Sequence, residues 1–292
     1  MVDCKVSVSI VIPAKNEAGS LEALLPDLKD AYPDAEIILV NDGSSDNTSE
    51  ICTVNSIIEV KHPYSKGNGA AIKSGARAAT GDVIVFMDGD GQHQPKDIAA
   101  LLQRIDEGYD LAVGARDYES QASIGRWVAN TFYNKFSSWM VGHKILDLTS
   151  GFRAVKRKKF LQFLYLLPNG FSYPTTSTMA FFRAGLSVCY ISIDVRRREG
   201  KSHIRLLRDG IRFLLIIFKV GTLYSPLKLF TPLAAAFFTL AMLNYGFTYT
   251  SSGRFTNMSA LLFISSLLFF SLGLISEQVS NLQYMKSDNE RE

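Results

Sequence analysis

Hydrophobic and polar positions follow two different periods over the first ~115 residues. Short β-branched segments with turn residues at both ends predict strands, and helical spacing between them predicts helices at 17–30, 69–79 and 95–107. Because strands and helices alternate, the pattern predicts an α/β domain with a mostly parallel sheet. The predicted strands are VSVSIVIPA, AEIILVND, SIIEVKH, DVIVFMDG and YDLAVGAR, and LSVCYISIDVRRR adds a later one.

Two long uncharged segments occupy the C-terminal part of the chain. Residues 229–253 and 255–276 contain no charged side chain, and Arg254 separates them. Each exceeds the roughly 20 apolar residues that a helix needs to cross a bilayer. We therefore predict a two-helix transmembrane hairpin with spans at about 229–250 and 258–278. The other interpretation is a pair of helices buried in a soluble core.

A basic amphipathic segment precedes the hairpin. In SHIRLLRDGIRFLLIIFKVG, apolar residues share one helical face and arginines lie mostly on the other, which is typical of a helix on a membrane surface. A helix packed on a soluble domain is the alternative. The basic residues between 196 and 219 predict that this side of the membrane is cytoplasmic. The predicted organisation is a catalytic domain (1–203), a juxtamembrane region (204–227), two transmembrane helices (228–280) and a cytoplasmic tail (281–292).

Composition narrows the cellular setting. The net charge of +3 is too small to indicate nucleic acid as a partner. The three cysteines are odd in number and lack metal or redox spacing, which is typical of a reducing compartment. The N-terminal run 6–13 is short and β-branched and does not resemble a signal-peptide core. These features predict a multi-pass protein of the cytoplasmic membrane, with room for homo-oligomerisation.

Polar clusters follow three of the predicted strands, as PAKNE, NDGSSD and DGDGQ. Ligands of such sheets bind beyond the carboxyl ends of the strands, so these clusters are expected to form one site. In DGDGQ, Asp88 and Asp90 can face one side with Gln92 as a third oxygen ligand, which suits Mg²⁺ or Mn²⁺ bridging to a diphosphate. Gly89 would let the backbone approach that ligand closely. A plain Asp-Gly turn is the alternative, and His93 is expected beside the metal ligands rather than among them.

Two further loops carry weaker signals for donor binding. Asp42, at the end of the second strand, could accept a hydrogen bond from a nucleobase N–H, although an Asx turn would also explain NDGSSD. In KGNGAAIKSG, the helix start at Gly69 and the side chain of Lys66 would favour an anion. A solvated lysine is the alternative for Lys66.

The motifs IPAKNE, VNDGSSDNT, KGNGAAIKSG, ATGDVIVFMDGDGQHQP, VGAR, DLTSGFR and REGKSHI occur in this order over residues 8–205. Together they resemble the inverting glycosyltransferase family 2, and within it the branch related to dolichyl-phosphate mannose synthase and bacterial polyprenyl-phosphate glycosyltransferases. The resemblance implies a GT-A fold, a UDP- or GDP-sugar as donor and a divalent cation. The branch implies undecaprenyl or dolichyl phosphate as a membrane acceptor, for cell-envelope glycan or protein glycosylation.

The resemblance also assigns site residues. The family's metal-binding positions fall on Asp88, Asp90 and Gln92, its base-binding loops on Pro13, Ala14, Asn16, Glu17 and Asp42, and its acceptor-phosphate positions on Arg116, Ser150 and Arg153. Arg197, Lys201 and Ser202 belong to the late loop that closes over the diphosphate. The chain departs from the family pattern at Asn41, where many members have aspartate, and at His203, where the late loop often has lysine.

We expect the acceptor phosphate to attack the anomeric carbon opposite the nucleoside diphosphate, which inverts the configuration. Arg116 and Arg153 would hold the phosphate, and Arg197 and Lys201 the leaving diphosphate. Asp147 is the candidate general base, although a helix-start or arginine-pairing role is equally compatible. The alternatives are a family 2 enzyme that extends a lipid-linked oligosaccharide or other glycan, a nucleotidyltransferase, and a non-enzymatic membrane scaffold.

Overall fold

The computed structural model describes residues 6–116, 124–170, 172–193, 218 and 221–289. Contacts divide the chain into two compact units, one made of residues 1–139 and 143–203 and the other of 140–142 and 204–292. The predicted amphipathic helix lies almost wholly outside the described residues. The late loop with Arg197, Lys201 and Ser202 lies outside them as well.

Seven strands form a single sheet in the first unit. They are β1 (Val8–Ala14), β2 (Glu36–Asn41), β3 (Ile58–Lys61), β4 (Val83–Phe86), β5 (Leu111–Arg116), β6 (Arg153–Lys156) and β7 (Val188–Ile193). Their order is β3-β2-β1-β4-β6-β5-β7. Neighbours are parallel except for β6, which runs antiparallel to both β4 and β5. The central strands are buried on both faces, which explains their continuous apolar sequences.

Helices connect and cover the strands. They are α1 (Ala18–Ala31), α2 (Thr48–Val54), α3 (Asn68–Ala78), α4 (Ile98–Asp106), α5 (Ile124–Val141), α6 (Arg157–Leu161) and α7 (Tyr173–Arg183). In α1, the residues Leu21, Leu25 and Leu28 recur at helical spacing and are fully buried. They pack into the same core as Ile10 and Ile12 of β1, so the amphipathic pattern fixes which face of the helix meets the sheet.

The predicted α/β class with a mostly parallel sheet is confirmed. Each strand and helix predicted over the first 116 residues has a counterpart, with the helix predicted at 95–107 divided into a 3₁₀ turn, Pro95–Asp97, and α4. β6 was not predicted. Its four residues, RAVK, carry a basic side chain at each end, and its place between β4 and β5 depends on contacts far away in the sequence.

Two long apolar helices, α8 (Pro226–Ser252) and α9 (Asn257–Asn289), dominate the second unit. All of α8 and residues 257–282 of α9 are long and apolar enough to cross a membrane. Large apolar side chains are exposed along both helices, including Leu243 and Leu267, each at 66%. An apolar surface of this extent favours lipid over water as its surroundings.

Polar side chains join the two helices of the hairpin. Ser266 Oγ donates to the carbonyl oxygen of Ala234 at 2.8 Å, and Ser259 Oγ donates to Asn244 Oδ1 at 2.9 Å. Both serine side chains are buried. Such bonds hold helices together where no water competes for the donors, so the hairpin is built as a pair rather than as two independent helices.

Candidate active site

A cavity of about 570 Å³ opens at the carboxyl ends of β1, β2 and β4. The three polar loops that were expected to form one site converge there. The predicted donor-binding residues that line the cavity are Pro13, Ala14, Glu17, Asp42, Asp88, Gly89 and Asp90. Eight other predicted site residues within the described ranges are not part of the lining: Asn16, Lys66, Gly69, Gln92, Arg116, Asp147, Ser150 and Arg153.

The first two loops are tied together by Asn16. Its Oδ1 accepts a hydrogen bond from the Ser45 N–H at 2.8 Å, and its own N–H donates to Ser44 Oγ at 3.0 Å. Its φ of 55° lies in the left-handed region, which asparagine tolerates better than most residues. At Gly89, where the backbone is expected to approach a ligand, the close neighbour in the structure belongs to the protein: a Cβ at this position would lie 2.7 Å from Glu17 Oε2.

The Asp42 carboxylate is surrounded by four protein donors. Oδ1 contacts His62 Nδ1 at 2.7 Å and accepts from the Lys66 N–H at 2.8 Å. Oδ2 accepts from Ser65 Oγ at 2.8 Å and from the Gly67 N–H at 2.9 Å. Burial raises the pKa of Asp42, but these hydrogen bonds outweigh it and lower the pKa to about 2. Asp42 therefore organises residues 65–67, and its acceptor sites are already occupied in this arrangement.

The N–H groups of Gly69 and Ala70, at the start of α3, already have acceptors within the protein. The Gly69 N–H donates to the Gly170 carbonyl at 3.1 Å, and the Ala70 N–H donates to the Asn169 carbonyl at the same distance. A Cβ on Gly69 would lie 2.8 Å from the Gly170 oxygen. Gly69 therefore packs against residues 168–170, and its own N–H is not available to the anion that this helix start was expected to favour. The Lys66 ammonium lies 5.9 Å from the Tyr64 ring centroid.

Two carboxylates, those of Asp88 and Asp90, face the cavity from the turn after β4. Asp90 Oδ1 accepts the Gln92 N–H at 3.2 Å. Hard carboxylate oxygens beside an open cavity fit Mg²⁺ or Mn²⁺. Within the described ranges, no group of three His, Cys, Asp or Glu side chains gathers around one point. The rest of an ion's shell would therefore come from the Gln92 amide, water or the phosphates of a ligand.

Arg116 and Asp147 form an ion pair next to Thr149, which lines the cavity. Arg116 Nε lies 2.8 Å from Asp147 Oδ2, Nη2 lies 3.1 Å from Oδ1, and Nη2 also donates to Thr149 Oγ1 at 2.6 Å. Burial raises the pKa of Asp147, but hydrogen bonds from Arg116 and its positive charge outweigh it, so the pKa lies below its usual value. A carboxylate held in this way is a weak proton acceptor, which favours the arginine-pairing role over that of general base.

Arg153, expected to hold the acceptor phosphate, is fully buried. Its Nη1 donates to Pro174 O at 3.1 Å and Ser177 Oγ at 2.8 Å, and its Nη2 donates to the Ser150 carbonyl. The Ser150 side chain is 2% exposed. In this arrangement neither side chain reaches the cavity surface, because β6 buries Arg153 beneath the start of α7. Of the two arginines expected to hold the acceptor phosphate, Arg116 is the more exposed, with 35% of its side chain accessible.

Sequence reasoning missed several lining residues, among them Ser65, Asn68, Thr149, Gly151, Gly170 and Tyr173. Tyr173 is the largest of them. It begins α7, its hydroxyl donates to the Gly151 carbonyl at 3.3 Å, and burial raises the pKa of this hydroxyl. The sequence FSYPTT around it has no motif that suggests a ligand, so only the position of α7 against the DLTSGFR segment reveals its place in the site.

Comparisons with known proteins agree with this architecture. Crystal structures of glucosyl-3-phosphoglycerate synthase from Mycobacterium tuberculosis superpose with TM-scores of 0.57, for a complex with Mn²⁺, UDP and glucosyl-3-phosphoglycerate, and 0.59, for a complex with Mg²⁺ and UDP. The first is 22% identical to this chain and the second 23%. Each alignment covers 73% of this chain, and it covers 80% of the synthase chain in the first structure and 79% in the second. At this identity the likeness establishes the fold alone, and it confirms the predicted GT-A class.

Sequence comparisons extend to the C-terminal helices. Polyprenol monophosphomannose synthase of Mycolicibacterium smegmatis is 30% identical over 206 residues, which cover 65% of this chain and 77% of the synthase. Undecaprenyl-phosphate 4-deoxy-4-formamido-L-arabinose transferase of Yersinia pestis is 29% identical over 309 residues, 94% of this chain and 88% of the transferase. Residues 225–282 match the GtrB C-terminal hairpin, and residues 9–164 match glycosyl transferase family 2. The chain is a glycosyltransferase and belongs to family 2.

Proposed function

We propose that this chain transfers a sugar from a nucleotide-sugar donor to a polyprenyl phosphate at the membrane surface, with inversion at the anomeric carbon. The observation that carries the proposal is the combination of a family 2 domain and a GtrB-type hairpin in one chain. The Yersinia transferase, whose name includes undecaprenyl phosphate, aligns with both parts. The proposed donor is a UDP- or a GDP-sugar.

The donor diphosphate is proposed to lie beside Asp88 and Asp90. A Mg²⁺ or Mn²⁺ ion held by these carboxylates and by Gln92 would offset the charge that grows on the leaving diphosphate. The glucosyl-3-phosphoglycerate synthase structures contain these ions together with UDP, which supports the same use here. We retain Arg197, Lys201 and Ser202 as proposed diphosphate ligands from the late loop.

The acceptor phosphate is proposed to bind Arg116. Asp147 and Thr149 engage the Nε and Nη2 atoms, and Nη1 makes no hydrogen bond to the residues that the structure describes. The ion pair therefore orients the guanidinium, and the two N–H groups of Nη1 remain for an incoming phosphate. Asp147 is a positioning residue in this scheme.

The attacking oxygen needs no strong general base. A phosphate monoester has a second pKa near 6 and is mostly a dianion at neutral pH. Deprotonation before attack is thus largely complete, which agrees with the lowered pKa of Asp147. Arg153 is proposed to shape the acceptor side indirectly, because its guanidinium joins the Ser150 carbonyl to the first turn of α7.

The hairpin gives the reaction its location. α8 and α9 are proposed to cross the cytoplasmic membrane, with the catalytic unit on the cytoplasmic side, as the basic residues before the first span indicate. A polyprenyl chain would remain in the bilayer while its phosphate reaches Arg116.

A transfer assay on membranes containing the full chain tests the proposal. Radiolabelled UDP- and GDP-sugars are offered with polyprenyl phosphate and Mg²⁺ or Mn²⁺. We expect label in the lipid phase that depends on the cation and is abolished by Asp90→Ala. Release of nucleotide with no lipid label would instead favour an enzyme that extends another glycan.

A further inference from the structure

His93 follows the two acidic residues of the DGDGQ turn and is buried, with 6% of its surface exposed. Its Nε2 lies 3.8 Å from Asp88 Oδ2. Its ring stacks on Phe152, with a centroid distance of 4.8 Å and an interplanar angle of 11°. At 3.8 Å the pair is an electrostatic contact, longer than a hydrogen bond. The stack fixes the plane of the imidazole, and in this arrangement Nε2 faces Asp88.

Asp88 is confined from a second direction by the backbone at Gly151. A Cβ on Gly151 would lie 2.9 Å from Asp88 Oδ2 and 3.1 Å from Oδ1. The Tyr173 hydroxyl lies 3.2 Å from the same point. The carboxylate of Asp88 therefore occupies a cradle between His93 on one side and the DLTSGFR segment on the other.

The second ring nitrogen of His93 has no role among the described residues. Nδ1 is buried and has no hydrogen-bond partner there. A buried polar atom without a partner costs about 1–3 kcal/mol, so a histidine whose only task were to fill space would be a poor choice beside Phe152. A neutral imidazole carries one N–H. When the proton is on Nε2, the only donor of the ring faces Asp88.

We propose that His93 is a positioning residue, which orients the Asp88 carboxylate toward a divalent cation. The inference rests on the proposed use of a cation by this site. Aromatic packing alone would keep the ring in place, whereas the proposed role also needs a donor at the position of Nε2. Substitutions can separate these two requirements.

Three substitutions of His93 provide the test. Phenylalanine keeps the stack on Phe152 and removes both nitrogens. Glutamine removes the stack, and its amide nitrogen lies about as far from the backbone as Nε2 of the histidine. Asparagine also removes the stack, but its amide nitrogen lies about as far from the backbone as Nδ1. His143→Phe is the matched control, because His143 also stacks on a phenylalanine, Phe182, at 5.2 Å and 10°.

Binding of Mn²⁺ to the detergent-solubilised full chain is measured from the EPR signal of the free ion, with UDP or GDP present, alongside the Tm of each variant. We expect His93→Phe and His93→Asn to weaken Mn²⁺ binding about tenfold, which corresponds to about 1.4 kcal/mol. His93→Gln should retain most of the affinity, and His143→Phe should match the wild type.

Three outcomes would overturn the inference. They are unchanged Mn²⁺ affinity in His93→Phe, losses in His93→Gln as large as in His93→Asn, and losses in every variant that simply follow a lowered Tm. Absence of Mn²⁺ binding in the wild type would remove both this inference and the proposed use of a cation. Normal Mn²⁺ binding without sugar transfer to lipid would remove only the proposed acceptor.

Discussion

Replacing Asp42 by asparagine is expected to destabilise the donor side of the cavity. Four donors contact the carboxylate at 2.7 to 2.9 Å. An asparagine keeps one acceptor oxygen and turns an NH₂ group toward the other donors. His62 can change its tautomer and Ser65 can rotate its hydroxyl, but the N–H groups of Lys66 and Gly67 cannot change. One buried backbone donor therefore loses its acceptor.

Two independent estimates give the size of this effect. The pKa of Asp42 falls from 3.8 to about 2, and at about 1.4 kcal/mol per unit this corresponds to about 2 kcal/mol of folding free energy. Its side chain is only 7% exposed, so solvent screening removes little of this energy. An unsatisfied buried donor costs about 1–3 kcal/mol. For a unit of this size, about 2 kcal/mol lowers the Tm by about 4–8 °C.

Thermal unfolding of the full chain in detergent measures the effect, with Asp30→Asn as an exposed control on α1. The folded-state pKa of Asp42 is depressed, so its contribution is complete above a pH of about 4 and is lost as the pH falls toward 2. The Tm difference between wild type and Asp42→Asn should therefore shrink over that range. A Tm within about 1 °C of the wild type at pH 7 would refute this reasoning.

The same variant separates two roles in donor binding. If Asp42 only organises residues 65–67, Asp42→Asn should raise the KM for the donor without changing the preference between uridine and guanosine nucleotides. A changed base preference would mean that Asp42 contacts the base directly.

Two further predictions concern Arg116, which pairs with Asp147, and Gly69, which packs against residues 168–170. Arg116→Lys should raise the KM for polyprenyl phosphate about tenfold and leave the donor KM unchanged, because a single ammonium cannot replace the guanidinium contacts with Asp147 and Thr149 and also bind a phosphate. An equal rise in both KM values would contradict this. Gly69→Ala should lower the Tm by several degrees, because its Cβ would overlap the backbone of residues 168–170. The control is Gly19→Ala, which has nothing within 4 Å of the added Cβ and should be neutral or stabilising by up to about 1 kcal/mol. Equal Tm values for the two variants would contradict this prediction.

The sheet was predictable where the signal is local. Apolar runs such as VIVF, bounded by turn residues, identify a strand by themselves, and the polar residues that follow it identify the edge where ligands bind. β6 could not be predicted in this way, because RAVK becomes a central strand only when β4 and β5 lie on either side of it. Tertiary context outweighs its weak intrinsic preference.

The candidate site was predictable in its carboxylates but not in how they are used. The sequence locates Asp42 at the end of a strand, but its donors come from residues 62–67, which lie 20 to 25 positions away and are brought in by β3. Arg116 and Arg153 look alike in the sequence. The structure separates them because β6 turns Arg153 into the interior while Arg116 ends β5 beside the cavity.

The most direct test of the account is mass spectrometry of the lipid formed by the purified full chain from polyprenyl phosphate, a divalent cation and whichever nucleotide-sugar labels the membrane lipid. The account predicts one new species, heavier than the acceptor by a single sugar residue and joined through the phosphate, and it predicts that Arg116→Ala prevents its formation. Sugar found on any other acceptor, with polyprenyl phosphate unchanged, would contradict it.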